Sequence, residues 1–166
     1  MNIVLIGYRG TGKSTVGRLL AARLGRELVS TDAEIVRRAR RAIPEIVAQE
    51  GWEYFRDLES DVCGELAGRD QLVIDTGGGA ILREKNVEAM KKNGTVFWLT
   101  ASVETITKRI GGDNQRPSLT GTQSFVDEIE NVLRERTPKY RAAADHTIAT
   151  DDRSANQLVD ILLTLV

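Results

Sequence analysis

The chain has few of the residues on which covalent or redox scaffolds depend. It carries one cysteine in 166 residues, Cys63, which excludes an internal disulfide and points to a reducing, cytoplasmic setting. Cys63 lies beside an apolar stripe of Leu58, Val62 and Leu66, so it reads as a packed thiol rather than a reactive one. The lone histidine, His146, reads as structural or exposed. No apolar run is long enough to cross a bilayer, and Met1 and Asn2 lead straight into an apolar segment, leaving no room for a signal peptide. There is no internal repeat, low-complexity tract or linker. The net charge is only −1, so no basic field points to nucleic acid or a membrane surface. What remains, 41% hydrophobic and 28% charged residues, is ordinary globular composition, and the length suits a single domain over residues 1–166.

The most informative stretch is the first. Ile3-Val4-Leu5-Ile6 is an apolar strand. Gly7-Tyr8-Arg9-Gly10-Thr11-Gly12-Lys13-Ser14 follows with the spacing G-x-x-x-x-G-K-S, and Thr15, Val16, Leu19, Leu20 and Leu24 continue as an amphipathic helix that Gly25 ends. Glycines let successive backbone N–H groups converge on one anion, and the helix behind adds the positive end of its dipole. Lys13 supplies a charge for the β- and γ-phosphates, and the Ser14 hydroxyl is placed for Mg²⁺. The chain therefore reads as a nucleoside triphosphate binder, with Gly10, Thr11, Gly12, Lys13, Ser14 and Thr15 around the phosphates.

Further along, Leu28-Val29 forms a short strand, and Thr31 or Asp32 is the expected cap of a helix through Ile35 and Val36. Arg37, Arg38, Arg40 and Arg41 make a positive patch that reads as a solvated helix face. Pro44 opens another helix, which Gly51 breaks, and Trp52 to Leu66 is a longer one in which Arg56 and Glu59 share a face. Gln71 to Asp75 is a buried-type strand running into Thr76-Gly77-Gly78-Gly79. Three glycines in a row are costly unless the backbone must approach something closely. A polar helix over Arg83 to Lys92, a strand over Thr95 to Leu99 and a helix marked by Val103, Ile106 and Ile110 come next. Residues from Gly111 to Gly121 lack periodicity, and a loop of that length suggests a mobile functional lid. Helix returns from Phe125 to Glu135, is interrupted at Thr137-Pro138-Lys139-Tyr140, and gives way to a strand at His146 to Ala149 and a closing helix from Ala155 to Leu165. Strands alternating with helices predict a three-layer α/β/α fold around a five-stranded parallel sheet. Ligands in such folds collect at the carboxyl ends of the strands, where the phosphate loop, Asp32, Asp75 and Gly77 to Gly79 all fall.

Taken together these residues resemble the shikimate kinase family. The match is the phosphate loop from Gly7 to Ser14, Thr31-Asp32, Phe55-Arg56-x-x-Glu59, Gly77-Gly78-Gly79, Arg116-Pro117 and Arg136-x-x-x-Tyr140, in order and over essentially the whole chain. The resemblance implies a fold like the nucleoside-monophosphate kinases, with a lid at about 111–122 and a substrate-binding helical region at about 32–62. It implies transfer of the ATP γ-phosphoryl group to the 3-hydroxyl of shikimate, with Mg²⁺, on the route to chorismate and the aromatic amino acids. It assigns Asp32 to the substrate hydroxyls and the role of base, and Arg56 and Arg136 to the substrate carboxylate. Glu59, Gly77, Gly78 and Gly79 join the substrate site, Arg116 descends with the lid onto the phosphates, and Arg109 and Arg153 flank the adenine. The chemistry is consistent: arginine grips carboxylates bidentately, and an aspartate accepts a hydroxyl proton. Taken singly, each arginine is also readable as a surface charge.

One position departs from the pattern. The family usually has Asp-Thr-Asp after the second strand, the first helping to hold Mg²⁺, whereas this chain has Ser30-Thr31-Asp32. Asp75 ends an apolar strand as a Walker-B aspartate does. It either takes over the metal role beside Ser14 or only caps the turn. Two other functions remain open at this point. One is another small-molecule kinase acting on gluconate or a nucleoside monophosphate. The other is a nucleotide-binding module without catalysis. Nothing demands more than a monomer, a nucleic acid or a membrane.

Overall fold

The structure is a computed structural model and describes residues 1–111 and 124–166. The expected lid, with Arg116 and Pro117, lies outside the described residues apart from Gly111. Five strands form one sheet: β1 (Asn2–Ile6), β2 (Glu27–Ser30), β3 (Leu72–Asp75), β4 (Gly94–Thr100) and β5 (His146–Ala149). Their order is β2-β3-β1-β4-β5, and every pairing is parallel. The phosphate-loop strand is thus central, with β3 on one side and β4 on the other.

The helices are α1 (Lys13–Leu24), α2 (Thr31–Ala39), α3 (Ile43–Glu50), α4 (Trp52–Ala67), α5 (Glu84–Lys92), α6 (Val103–Ile110), α7 (Phe125–Ala143) and α8 (Ala155–Leu163). They cover both faces of the sheet, as expected. Val4 and Ile6 of β1 point to one face, where Ile35, Ile46, Phe55, Val62, Met90 and Tyr140 pack from α2, α3, α4, α5 and α7. Ile3 and Leu5 point to the other, against Val16 and Leu20 of α1 and Leu158 and Leu162 of α8. The continuous apolar run of β1 is therefore two alternating sets, one per layer. Each large aliphatic side chain so buried contributes about 1.5–3 kcal/mol relative to exposure.

Two local expectations are corrected, and one element is added. Ser30, not Thr31 or Asp32, caps α2, its hydroxyl accepting from Ala33 N at 3.2 Å. A short 3₁₀ turn, Ala80–Leu82, stands between the triple glycine and α5. And α7 is unbroken: Pro138 sits inside it. A proline there leaves the Arg134 carbonyl without a donor, at a cost of roughly 3 kcal/mol in a helix interior. Arg134 and Pro138 are both exposed, so water can take that carbonyl, while Val132, Arg136 and Tyr140 are buried on the opposite side and hold the helix through it.

Of the arginine patch, Arg37 and Arg38 lie on the exposed face of α2, Arg40 is its C-cap, and Arg41 stands beyond the helix, half-buried. Glu34 bonds Arg37 and Arg38, which hold its carboxyl down at about 2, and Arg41 reaches Gln49 at 2.7 Å. His146 stacks on Phe97 with ring centres 5.0 Å apart. Cys63 is 1% exposed, and burial, with the charges of Glu59 and Asp32, pushes its thiol up to about 12. The folded chain at about pH 8 should therefore react with an aromatic disulfide reagent only as fast as it opens, whereas guanidinium-unfolded chain reacts at once. Rapid stoichiometric labelling of folded protein, followed by absorbance, would contradict this placement. Because the proton is held more tightly folded than unfolded, the same group removes stability as pH rises from the unfolded thiol range towards about 12.

Candidate active site

The loops leaving β1 and β3 lie side by side at the carboxyl edge of the sheet. Gly12 carries the turn into α1 with φ 96°, a left-handed backbone that favours glycine. The next residue, Lys13, is 7% exposed and donates to the carbonyls of Gly7 at 2.8 Å and Tyr8 at 2.9 Å. Ser14 Oγ donates to Asp75 Oδ2 at 2.6 Å, which ties the start of α1 to the end of β3. A hydroxyl and a carboxylate converging beside a phosphate loop are hard oxygen donors, the kind Mg²⁺ takes. These residues fit the metal that the family pattern implies. Lys13, Ser14, Thr15, Gly10, Gly12, Asp32, Asp75, Gly77 and Gly78 line one cleft of about 420 Å³.

The triple glycine is fixed from three sides. Thr76 donates to Leu5 O through both its amide, at 3.1 Å, and its hydroxyl, at 2.9 Å. Gly77 N donates to the buried Thr31 Oγ1 at 2.9 Å, and the Tyr140 hydroxyl donates to Gly78 O. Burial pushes the Tyr140 hydroxyl up to about 12, so it stays a donor. Trp98 stacks on Tyr140 at 5.6 Å and steadies the ring.

The reason for three glycines is then visible. A Cβ at Gly77 would lie 2.6 Å from Asp32 Oδ1 and 2.9 Å from Glu59 Oε2. A Cβ at Gly78 would lie 3.4 Å from Arg136 Nη1, and one at Gly79 would collide with the Arg56 guanidinium. Each glycine faces a different charged side chain. None of the three has the left-handed φ that favours glycine, so close approach is what selects Gly77 and Gly79, while a Cβ at Gly78 would make only ordinary contact. Arg56 is held by Glu59 at 2.8 Å, with both side chains largely buried, and by the rings of Trp52 at 5.2 Å and Phe55 at 5.3 Å. Arg136, 8% exposed, lines a second hollow of about 320 Å³ with Arg56, adjoining the first across Gly78.

A phosphate loop, a carboxylate and two largely buried guanidiniums thus surround one glycine ribbon. The family model for shikimate kinase matches residues 9–166. The chain belongs to the shikimate kinase family. A shikimate kinase from Nitratidesulfovibrio vulgaris is 43% identical over 98% of this chain and 94% of its own. One from Syntrophus aciditrophicus is 44% identical over 98% of this chain and 89% of its own. Among solved structures, shikimate kinase from Acinetobacter baumannii in complex with shikimate is 41% identical, covers 99% of this chain and 91% of that chain, and has a TM-score of 0.93.

Within this shikimate kinase framework, most of the expected site residues come together, and some do not. Thr11 is 1% exposed and turns its hydroxyl back to Tyr8 O at 2.8 Å, so its side chain shapes the phosphate loop. Arg109 bonds Gly10 O at 3.1 Å and both Thr150 Oγ1 and Thr150 O, on the outer side of that loop. It lines a wide hollow with Ser102, Lys108, Asp151 and Asp152. Arg153 is exposed, bonds Ala149 O at 3.1 Å and does not line that hollow. Arg116 lies outside the described residues. Sequence reasoning missed Thr31 as the anchor of Gly77 and Arg9 as a cleft-lining residue. It also missed the bond from Tyr140 to Gly78 O, because the break expected at Thr137 to Tyr140 cut Tyr140 off from the helix that carries Arg136.

Proposed function

We propose that the chain transfers the γ-phosphoryl group of ATP to the 3-hydroxyl of shikimate, giving shikimate 3-phosphate and ADP. The observation that carries this reading is the glycine ribbon. The phosphate loop stands at one end of it, the buried Arg136 and the largely buried Arg56 stand at the other, and Asp32 lies between them against Gly77. A small polyhydroxylated acid fits that order of groups. Its carboxylate takes Arg56 and Arg136, its ring lies along Gly77 to Gly79, and its hydroxyls turn to Asp32. The binding of shikimate by the Acinetobacter baumannii relative supports the same acceptor.

The chemistry follows from positioning. The loop amides and Lys13 hold the β- and γ-phosphates. The acceptor oxygen attacks the γ-phosphorus in line, its proton passes to the Asp32 carboxylate, and the β–γ bridging oxygen leaves on ADP. Bound Mg²⁺ would neutralise charge on the β- and γ-oxygens, with Ser14 as its hydroxyl ligand. Arg116 is assigned to the phosphates, and Arg109 and Arg153 to the adenine, Arg153 on the least contact. We assign the chain to act as a monomer.

Coupled measurement of ADP release decides the acceptor. Shikimate should support turnover, and gluconate and nucleoside monophosphates should not; the reverse pattern refutes the proposal. Arg136→Ala should raise the shikimate KM by about ten- to a hundredfold, the scale of a lost hydrogen bond to a charged group. The ATP KM should stay within about threefold. Equal weakening of both substrates would break the carboxylate assignment.

A further inference from the structure

We propose that Asp75 is the carboxylate that holds the divalent cation in this chain, and that Ser30, its neighbour in the sheet, takes no part in metal binding. The proposal rests on the kinase reading above. Asp75 is 6% exposed, ends β3 and lines the phosphate cleft. It accepts the Ser14 hydroxyl proton at 2.6 Å. A hydroxyl has one proton and two lone pairs. With its proton committed to Asp75, Ser14 keeps both lone pairs for a cation, and the carboxylate adds the negative charge beside it.

Register explains why the charge sits on this strand. Asp75 pairs with Leu5 of β1 on one side and with Ser30 of β2 on the other. The strands are about 4.8 Å apart, so position 75 stands one strand nearer the phosphate loop than position 30. Ser30 is neutral, and its hydroxyl accepts from Ala33 N as the cap of α2. An aspartate would cap that helix as well, so the position is free to carry charge without unfolding α2, and in this chain it carries none.

A second consequence concerns order. Among the described residues no group of three histidine, cysteine or carboxylate side chains can hold a metal. Mg²⁺ characteristically takes one or two carboxylates and completes its shell with phosphates and water. Asp75 and Ser14 are therefore half a site, and the nucleotide phosphates are the other half: cation and nucleotide bind together.

Mn²⁺ is the probe, titrated by electron paramagnetic resonance against the full chain with and without ADP. Wild-type chain should bind Mn²⁺ tightly only with ADP present. Asp75→Asn should weaken Mn²⁺ in the ADP complex by about tenfold or more, while ADP affinity in chelator stays within about twofold. Ser30→Ala should leave Mn²⁺ affinity within about twofold and lower only the Tm, through the lost cap. The double variant Ser30→Asp with Asp75→Asn should regain part of the lost Mn²⁺ affinity. If Asp75→Asn does not fold, Asp75→Ser takes its place and is judged by the same constants. Mn²⁺ affinity unchanged on substitution of Asp75, or lost equally on Ser30→Ala, overturns the proposal. An absence of shikimate-dependent ADP release from wild-type chain would instead refute the kinase reading and leave these binding constants standing.

Discussion

Gly79→Ala should cripple shikimate turnover, by about a thousandfold in kcat/KM, while the nucleotide half of the site stays intact. Gly79 has φ −99° and ψ 7°, the backbone of a type I turn's third residue, which is open to alanine and needs no left-handed φ. The substitution is therefore a test of contact alone. The added methyl would occupy the space of the Arg56 guanidinium. Arg56 cannot simply swing aside, because Glu59 holds it at 2.8 Å and the Trp52 and Phe55 rings flank it. Moving it separates an ion pair whose members are 12% and 1% exposed, and disrupting such a pair costs on the order of 3–5 kcal/mol. Loss of the aligned guanidinium should lower kcat/KM for shikimate by about a thousandfold, roughly 4 kcal/mol at 1.4 kcal/mol per decade. ADP affinity, set by the phosphate loop, should stay within about twofold. Steady-state kinetics and ADP titration read both halves; a shikimate KM within threefold of wild type would show that Arg56 does not act on the acceptor.

Lys13→Met should have a comparable effect by a different route. Methionine keeps most of the unbranched apolar stem of lysine and removes the ammonium, with its charge and its donors. Phosphoryl transfer depends on charge placed where it develops, and losing one preorganised donor costs about 10²–10³ in rate. Lys13 is also tied to Gly7 O and Tyr8 O, so its loss leaves two buried carbonyls of the loop without that donor. We expect kcat to fall by about a thousandfold with both substrates saturating, with shikimate binding little changed. Lys13→Arg should not restore the rate, because a planar guanidinium does not reproduce a compact ammonium. Single-turnover phosphate transfer is the measurement, and a fall of less than about tenfold would remove Lys13 from the chemistry.

Much of this site was legible because its signals are local. The phosphate loop is contiguous, and the triple glycine follows a strand directly. The sheet was legible because β1, β3 and β4 are apolar runs between turn residues. The break expected in α7 came from treating Pro138 as a stop. The opposite, buried face of that helix, which includes Arg136 and Tyr140, outweighs one missing hydrogen bond where the freed carbonyl is exposed. The cap of α2 was expected one or two residues too late, at Thr31 or Asp32, because serine, threonine and aspartate all cap well until the backbone is seen. The pairing of Ser30 with Asp75 was not readable at all: parallel register joins residues 45 apart in sequence, and nothing local encodes it. Thr11 shows the limit of a motif, since its position matched the phosphate site while its side chain serves the loop.

The Tyr140 hydroxyl has a consequence for kinetics. It fastens Gly78 O and keeps its proton until about 12, so the ribbon that carries the acceptor holds one protonation state throughout the range in which the enzyme would be assayed. An inflection in a rate profile between about pH 6 and 9 would then report groups that meet the substrates, not a loosening of the ribbon beneath them.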